Sequence, residues 1–428
     1  MRRALWLSVG LVLAALTGVV VAPHGTTDPV IRTVSVGQIP GMVAVDAHTH
    51  RAFVLNSRDN TVSVLDAHSG TLLRTVALNR SPETAIVATR TDRVFVLNDE
   101  SGLVSVLDAA RGTVLRTLSV ASIDAAVDER SSHVFVAGDD TLTMLDARSG
   151  RVLDTERLSA GYAQGIAVDP RTQRAFVTNF GDDTVSVADT TSGHLVRVLR
   201  VGRVPVAVAV DVRTGRAFVT NNGSGSVSML DARSGTLLRT IPVGPTPARV
   251  VVAERVGRVF IVHGRGGNVA TPGGVFAGPS WGGTTVLDAR TGAVLRRIAI
   301  GGSPLDDVGY ATATNIAVDE SEGHVFVINQ STRDRAGNPS GGSVSVLDDR
   351  TGQVRQTIAV GRKPIALAVD EGSARLFVVS TNSDCIRRTS FWDQVPPSVR
   401  SLLPFLPKPA PPLCNVPGIV TVIDTSRV

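Results

Sequence analysis

The side chains best suited to recognition or chemistry crowd into a few stretches of the 428-residue chain. His263, Trp281, Asp306, Asp307, Tyr310, Arg333, Asp334 and Trp392 fall between residues 263 and 392, and Tyr162 stands apart from them. Asp306-Asp307 has the chemistry of a cation ligand or an acid–base pair, although adjacent loop carboxylates are more often simply solvated. Trp and Tyr combine an apolar body with a polar tip, which suits partner recognition. The same rings would also serve to fasten loops to a scaffold. Zinc and copper centres need three or four suitable ligands. His263 is the one histidine expected near this group, so no metal site is expected among these residues. The Gly-rich stretch 264–274 lacks the Gly-Lys-Ser/Thr of a phosphate loop. There is no Gly-x-Ser-x-Gly elbow, so no catalytic residue is assigned. No c-type haem motif or quinone-binding constellation is legible, and no cofactor is expected.

These residues must be held by a scaffold, and the scaffold is a repeat. Copies begin near residues 37, 79, 121, 160, 202, 244, 301 and 361, at first about 42 residues apart. Each copy opens with an apolar segment ending in an acid or its substitute, as in Val43-Ala44-Val45-Asp46 and Ile166-Ala167-Val168-Asp169, with looser versions at Ala85-Ile86-Val87 and Val250-Val251-Val252. A Phe-containing segment follows, with Phe53, Phe95, Phe135, Phe176, Phe218, Phe260, Phe326 and Phe377 in equivalent positions. The third segment ends in Asp at 66, 108, 146, 189, 231, 288, 348 and 424. The fourth resembles Leu72 to Val76. Four short strands per period indicate propeller blades rather than helical repeats. The last copy lacks a fourth strand after Asp424, while 30–36 reads as a fourth strand with no blade before it. Pairing the two would remove an exposed sheet edge. The expected fold is therefore all-β: an eight-bladed propeller of four-stranded antiparallel blades over 30–428, closed by 30–36. The repeated third-strand Asp, followed by a turn Gly such as Gly70 or Gly150, reads as turn capping rather than a metal array.

At these residues the chain resembles the YVTN family of β-propeller repeats. Ala175-Phe176-Val177-Thr178-Asn179 and Ala217-Phe218-Val219-Thr220-Asn221 match its signature segment, followed by Thr184-Val185-Ser186-Val187 and Ser226-Val227-Ser228-Met229. The resemblance covers 30–428 apart from insertions. It implies an exported, surface or periplasmic propeller, with quinoprotein-like enzymes and lactonases among the related folds.

The amino terminus fits export. Arg2-Arg3 precede an uncharged apolar run from Ala4 to Ala22, which reads as a signal peptide or an uncleaved membrane anchor (1–22), with 23–29 as linker. An anchor of this charge pattern leaves the propeller outside the cytoplasm. Cys385 and Cys414 bracket a Pro-rich insertion and are expected to pair outside the cytoplasm, at a gain of about 3–4 kcal/mol by the chain-entropy argument. Net charge is +5, almost all the base is Arg, and aromatic content is 4%. Many Arg occupy equivalent repeat positions and few rings are available for base stacking, so nucleic acid is not the expected partner.

In a four-stranded blade, the lead-in loop and the loop between strands two and three share one face, here called the top. Insertions at 263–283, 301–314, 330–342 and 381–417 all fall there, on blades six to eight. Loops on a rigid scaffold concentrate binding residues. The expected function is an exported, non-catalytic interaction propeller whose top face meets a protein, peptide or glycan, with membrane contact only through the N-terminal segment. Two alternatives are a quinoprotein-like or lactonase-like enzyme with its site at the channel mouth, and a periplasmic DNA-binding propeller.

Overall fold

The computed structural model describes residues 28–98, 102–158, 162–264, 269–271, 274–276, 283–299, 316–329, 341–381 and 417–428. Eight four-stranded antiparallel sheets follow one another along the chain. Blade one is built from Pro40–Asp46, Arg51–Asn56, Thr61–Asp66 and Leu72–Ala77. Blade four repeats it with Ala163–Asp169, Arg174–Asn179, Thr184–Asp189 and Leu195–Arg200. Each first strand contacts the first strand of the next blade, and Pro364–Asp370 of blade eight contacts Pro40–Asp46. The ring is closed. Val30–Ser35 pairs antiparallel with Ile419–Asp424 and supplies the outermost strand of blade eight. The expected closure is therefore observed. Among the described residues there is no α-helix; short 3₁₀ turns occur at 89–91, 222–224 and 425–427.

Burial explains the strand sequences. Second strands are enclosed on both sides by neighbouring sheets, so they read as continuous apolar runs rather than alternating ones: Arg51–Asn56 is Arg-Ala-Phe-Val-Leu-Asn and buried from Ala52 onward. Fourth strands lie on the rim and are mostly exposed, as in Leu72–Ala77. All eight Phe side chains are fully buried. Each faces a seam. Phe218 of blade five packs with Val250, Val259 and Ile261 of blade six. Phe377 of blade eight packs with Val43 and Val54 of blade one. The core is thus eight inter-blade clusters around the ring, one per seam.

The repeated Asp residues cap turns, as expected. Asp66 Oδ1 accepts the Ser69 N–H at 2.9 Å, and Gly70, at φ +67°, donates to the Asp66 carbonyl at 2.9 Å. The Ser69 N–H is the chief cause holding the Asp66 carboxyl below its ordinary range. The opening Arg of the second strand pairs with the same Asp, at 3.1 Å for Arg51–Asp66 and 3.0 Å for Arg216–Asp231. Other equivalent arginines latch one blade to the next: Arg171 Nε donates to the Val212 carbonyl at 2.9 Å and Arg213 Nε to that of Glu254 at 2.7 Å. Carboxylates do the same in reverse. Glu129 accepts the Thr89 N–H at 2.7 Å and Glu254 that of Val212 at 3.1 Å. Much of the bottom-face charge is therefore structural.

Insertion boundaries are now explicit. Second and third strands are separated by 57–60 in blade one, 180–183 in blade four and 222–225 in blade five. In blades six, seven and eight the intervals are 264–282, 330–342 and 381–418. The first holds a two-stranded ribbon, Val269–Thr271 with Gly274–Phe276, that was not expected. Residues 1–27 and both cysteines, Cys385 and Cys414, lie outside the described residues.

Candidate functional site

Two of the predicted site residues fall within the described structure. His263 ends the second strand of blade six, where Asn56, Asn98, Asn179, Asn221 and Asn329 stand in five other blades. Those Asn residues donate from Nδ2 to a Ser on the third strand, for example Ser63 at 2.9 Å and Ser228 at 3.0 Å. Blade six keeps the cross-strand clamp with larger partners. His263 is fully buried, with Nδ1 2.7 Å from the Pro245 carbonyl and Nε2 2.8 Å from Thr285 Oγ1. Burial pushes the imidazole pKa down, and the Pro245 carbonyl acts the other way. With both ring nitrogens engaged inside the blade, the side chain stitches the lead-in loop to the third strand and offers no ligand to solvent.

Tyr162 differs. It lies in the lead-in loop of blade four, 63% exposed, with φ +40°. Its carbonyl accepts the Phe180 N–H at 2.9 Å, which joins the two top-face loops of that blade. The backbone is fixed while the residue stays open to solvent, as a recognition residue requires. Trp281, Asp306, Asp307, Tyr310, Arg333, Asp334 and Trp392 lie outside the described residues.

The structure adds two groups at the top of the central channel. Asp124 opens the first strand of blade three, and Arg249 sits on the first strand of blade six, Pro247–Ala253. Asp124 Oδ1 accepts the Ala125 N–H at 2.9 Å and Oδ2 the Ile166 N–H of blade four at 3.2 Å. Burial pushes the Asp124 carboxyl up to about 6, opposed by those two N–H groups and by the charge of Arg249. Burial likewise lowers the Arg249 pKa, and Asp124 counteracts it. The signal was present in the repeat. The equivalent positions hold Met42, Thr84, Gly165, Ala207 and Ala366, none charged. Nothing local to the sequence, however, says that this position meets the charge and backbone of other blades.

A pH dependence follows. An acid whose folded pKa exceeds its ordinary 3.8 favours folding fully only below about pH 4, and that contribution is lost as pH rises towards 6. The shift corresponds to at most roughly 3 kcal/mol, since Asp124 retains some solvent contact. The unfolding free energy of Asp124→Asn relative to the unaltered chain is expected to rise by about 2–3 kcal/mol between pH 4 and 7. Denaturant titrations at both pH values check this; a pH-independent difference would show that the Asp124 carboxyl is not held protonated by the fold.

The family profile described as outer membrane protein assembly factor BamB matches residues 58–336. Among solved structures, BamB from Moraxella catarrhalis aligns with a TM-score of 0.56 at 15% identity, covering 92% of this chain and 99% of that one. Dihydro-heme d1 dehydrogenase NirN in complex with DHE aligns at 0.60 and 13% identity, over 81% of this chain and 73% of that one. Kuenenia stuttgartiensis hydrazine synthase aligns at 0.51 and 17%, over 85% and 96%. At these identities the likeness is one of fold. No curated protein matches the sequence. The matched family is a related propeller type, and the YVTN likeness stays a resemblance.

Proposed function

We propose that this chain, which belongs to the outer membrane protein assembly factor BamB family, is an exported, non-catalytic propeller that binds a protein or peptide partner on the top face of blades six to eight. One observation carries the reading. Three consecutive blades place their additional chain in the same strand-two-to-three interval, at 264–282, 330–342 and 381–418, while blades one, four and five keep 57–60, 180–183 and 222–225. A ring whose other face is occupied by inter-blade latches has its sequence freedom on this one. The described top-face chemistry suits contact: Tyr162 is exposed, whereas His263 is withdrawn into the blade. An extracytoplasmic location is drawn from Arg2-Arg3 and the apolar run to Ala22, in keeping with the family.

A second reading, a propeller enzyme working at the channel mouth, draws on Asp124. A carboxyl near pKa 6 is matched to general acid–base work near neutrality.

Photo-crosslinking separates the two. A photoreactive residue placed at Tyr162 or Trp392 in cells is expected to trap a discrete protein partner, and one placed at Ser234 in a bottom turn is expected to trap none. Crosslinks confined to Ser234 would overturn the assignment of the top face. A stoichiometric chromophoric cofactor in the purified chain would favour the enzyme.

A further inference from the structure

The repeat allows each seam to be compared with the others, and the seam between blades three and four departs from the rest at three positions. The fourth strand of blade three, Val152–Arg157, carries Asp154 where the other blades have Arg32, Arg74, Arg116, Arg197, Arg239, Arg296 or Gln356. It carries Glu156 where they have Val34, Val76, Leu118, Leu199, Ile241, Ile298 or Ile358. Those aliphatic side chains help close their seams: Ile241 and Ile358 are buried. Residue 194, just after the blade-four turn Gly193, is His, where equivalent turns have Thr71, Arg151, Ala293 or Gln353.

The three departures meet in space. Alternate residues of a strand share a face, so Asp154 and Glu156 project together, both partly buried, while Leu153 and Thr155 are exposed. Next to them, the blade-four turn presents His194. Its Nδ1 lies 3.1 Å from Glu156 Oε2 and 3.6 Å from Asp154 Oδ2, and one ligand atom from each residue falls within 4.8 Å of the others. Gly193 is part of the arrangement: a Cβ there would come 3.3 Å from Asp154 Oδ2. Two carboxylates on one face of a strand repel each other unless a cation lies between them.

We propose that Asp154, Glu156 and His194 form a divalent transition-metal site, of zinc class, that clips blade three to blade four. Metal–ligand distances near 2.0–2.2 Å put neighbouring donors of a tetrahedron roughly 3.4 Å apart, which the two His194 distances bracket. Three protein ligands leave one position for water, and the 67% exposure of the His194 side chain leaves it accessible. One imidazole with two carboxylates selects a borderline ion over Ca²⁺. The metal would replace, at this seam, the aliphatic contact used at the others. The expectation of no metal site rested on the histidines near the top-face group; this cluster lies on the rim.

The test uses the tag-free full-length chain, titrated calorimetrically with ZnCl₂ and with CaCl₂. Zinc is expected to bind saturably at one equivalent with a Kd below about 0.1 mM, more tightly than calcium, and to raise the thermal midpoint. Asp154→Arg, Glu156→Leu and His194→Thr restore residues found at the equivalent positions of other blades, which protects folding. Each is expected to weaken zinc binding by more than about tenfold and to remove the midpoint shift. His48→Ala alters a ring bonded instead to Asp92 and is expected to change neither. Absence of saturable zinc binding, its survival in the triple variant, its loss in His48→Ala, or tighter binding of calcium would each overturn the proposal.

Discussion

A chain lacking residues 28–36 is expected to fail as a soluble monomer. Val30–Ser35 supplies the outer strand of blade eight, with Val34 opposite Val420 and Ser35 opposite Ile419. The pairing extends past the strand at both ends: Val36 donates to the Gly418 carbonyl at 2.9 Å, and Asp424 donates to that of Pro29 at 2.8 Å. Val36 is also buried in the cluster joining blade eight to blade one, with Val34 against it. Deletion removes several backbone hydrogen bonds, each worth a net of about 1 kcal/mol, and part of one seam. The loss is on the order of 5 kcal/mol or more, comparable to the whole stability of many domains. It also bares the edge of Ile419–Asp424, a template for intermolecular pairing. Size-exclusion chromatography should show oligomers or aggregates, and a synthetic peptide of residues 28–36 should recover monomer. A monomeric deletion variant with an unchanged thermal midpoint would refute closure by this strand.

Replacing a seam Phe should be nearly as damaging. Phe218→Ala is expected to cost about 3–5 kcal/mol, the range for emptying a buried aromatic site. Phe218 is fully buried, and its neighbours Val250, Val259 and Ile261 belong to the next sheet. Two rigid sheets cannot collapse onto the vacated volume without shifting the ring, which places the cost towards the top of the range. Leu238, on the outer strand of the same blade and 45% exposed, provides the contrast. Leu238→Ala should stay within about 0.5 kcal/mol of the unaltered protein. Equal losses for the two variants in denaturant unfolding would show that the seams are not where stability resides.

The two variants also show which parts of this molecule could be read without coordinates. The eight Phe positions, the turn Asp and Gly residues and the strand at 30–36 are local patterns. A buried strand must be apolar, a tight turn needs a carboxylate acceptor and a residue at positive φ, and an unpaired strand needs an edge. Repetition multiplied each signal, so blade number and closure were legible. His263 was not. As a polar residue at the end of an apolar strand it resembled a site residue, and only the Pro245 carbonyl and Thr285 hydroxyl identify it as a clamp.

Asp124, Arg249 and the Asp154–Glu156–His194 cluster were visible as departures from the repeat but had no meaning there. Their partners lie in other blades, and the pattern of one strand carries no signal of which residue in another blade its side chain meets. Sequence alone determined the ring, because each blade is specified by short-range strand and turn chemistry. The tertiary structure decided what the odd residues do, because whether a charge is clamped, desolvated or gathered with others depends on distances across seams and the channel.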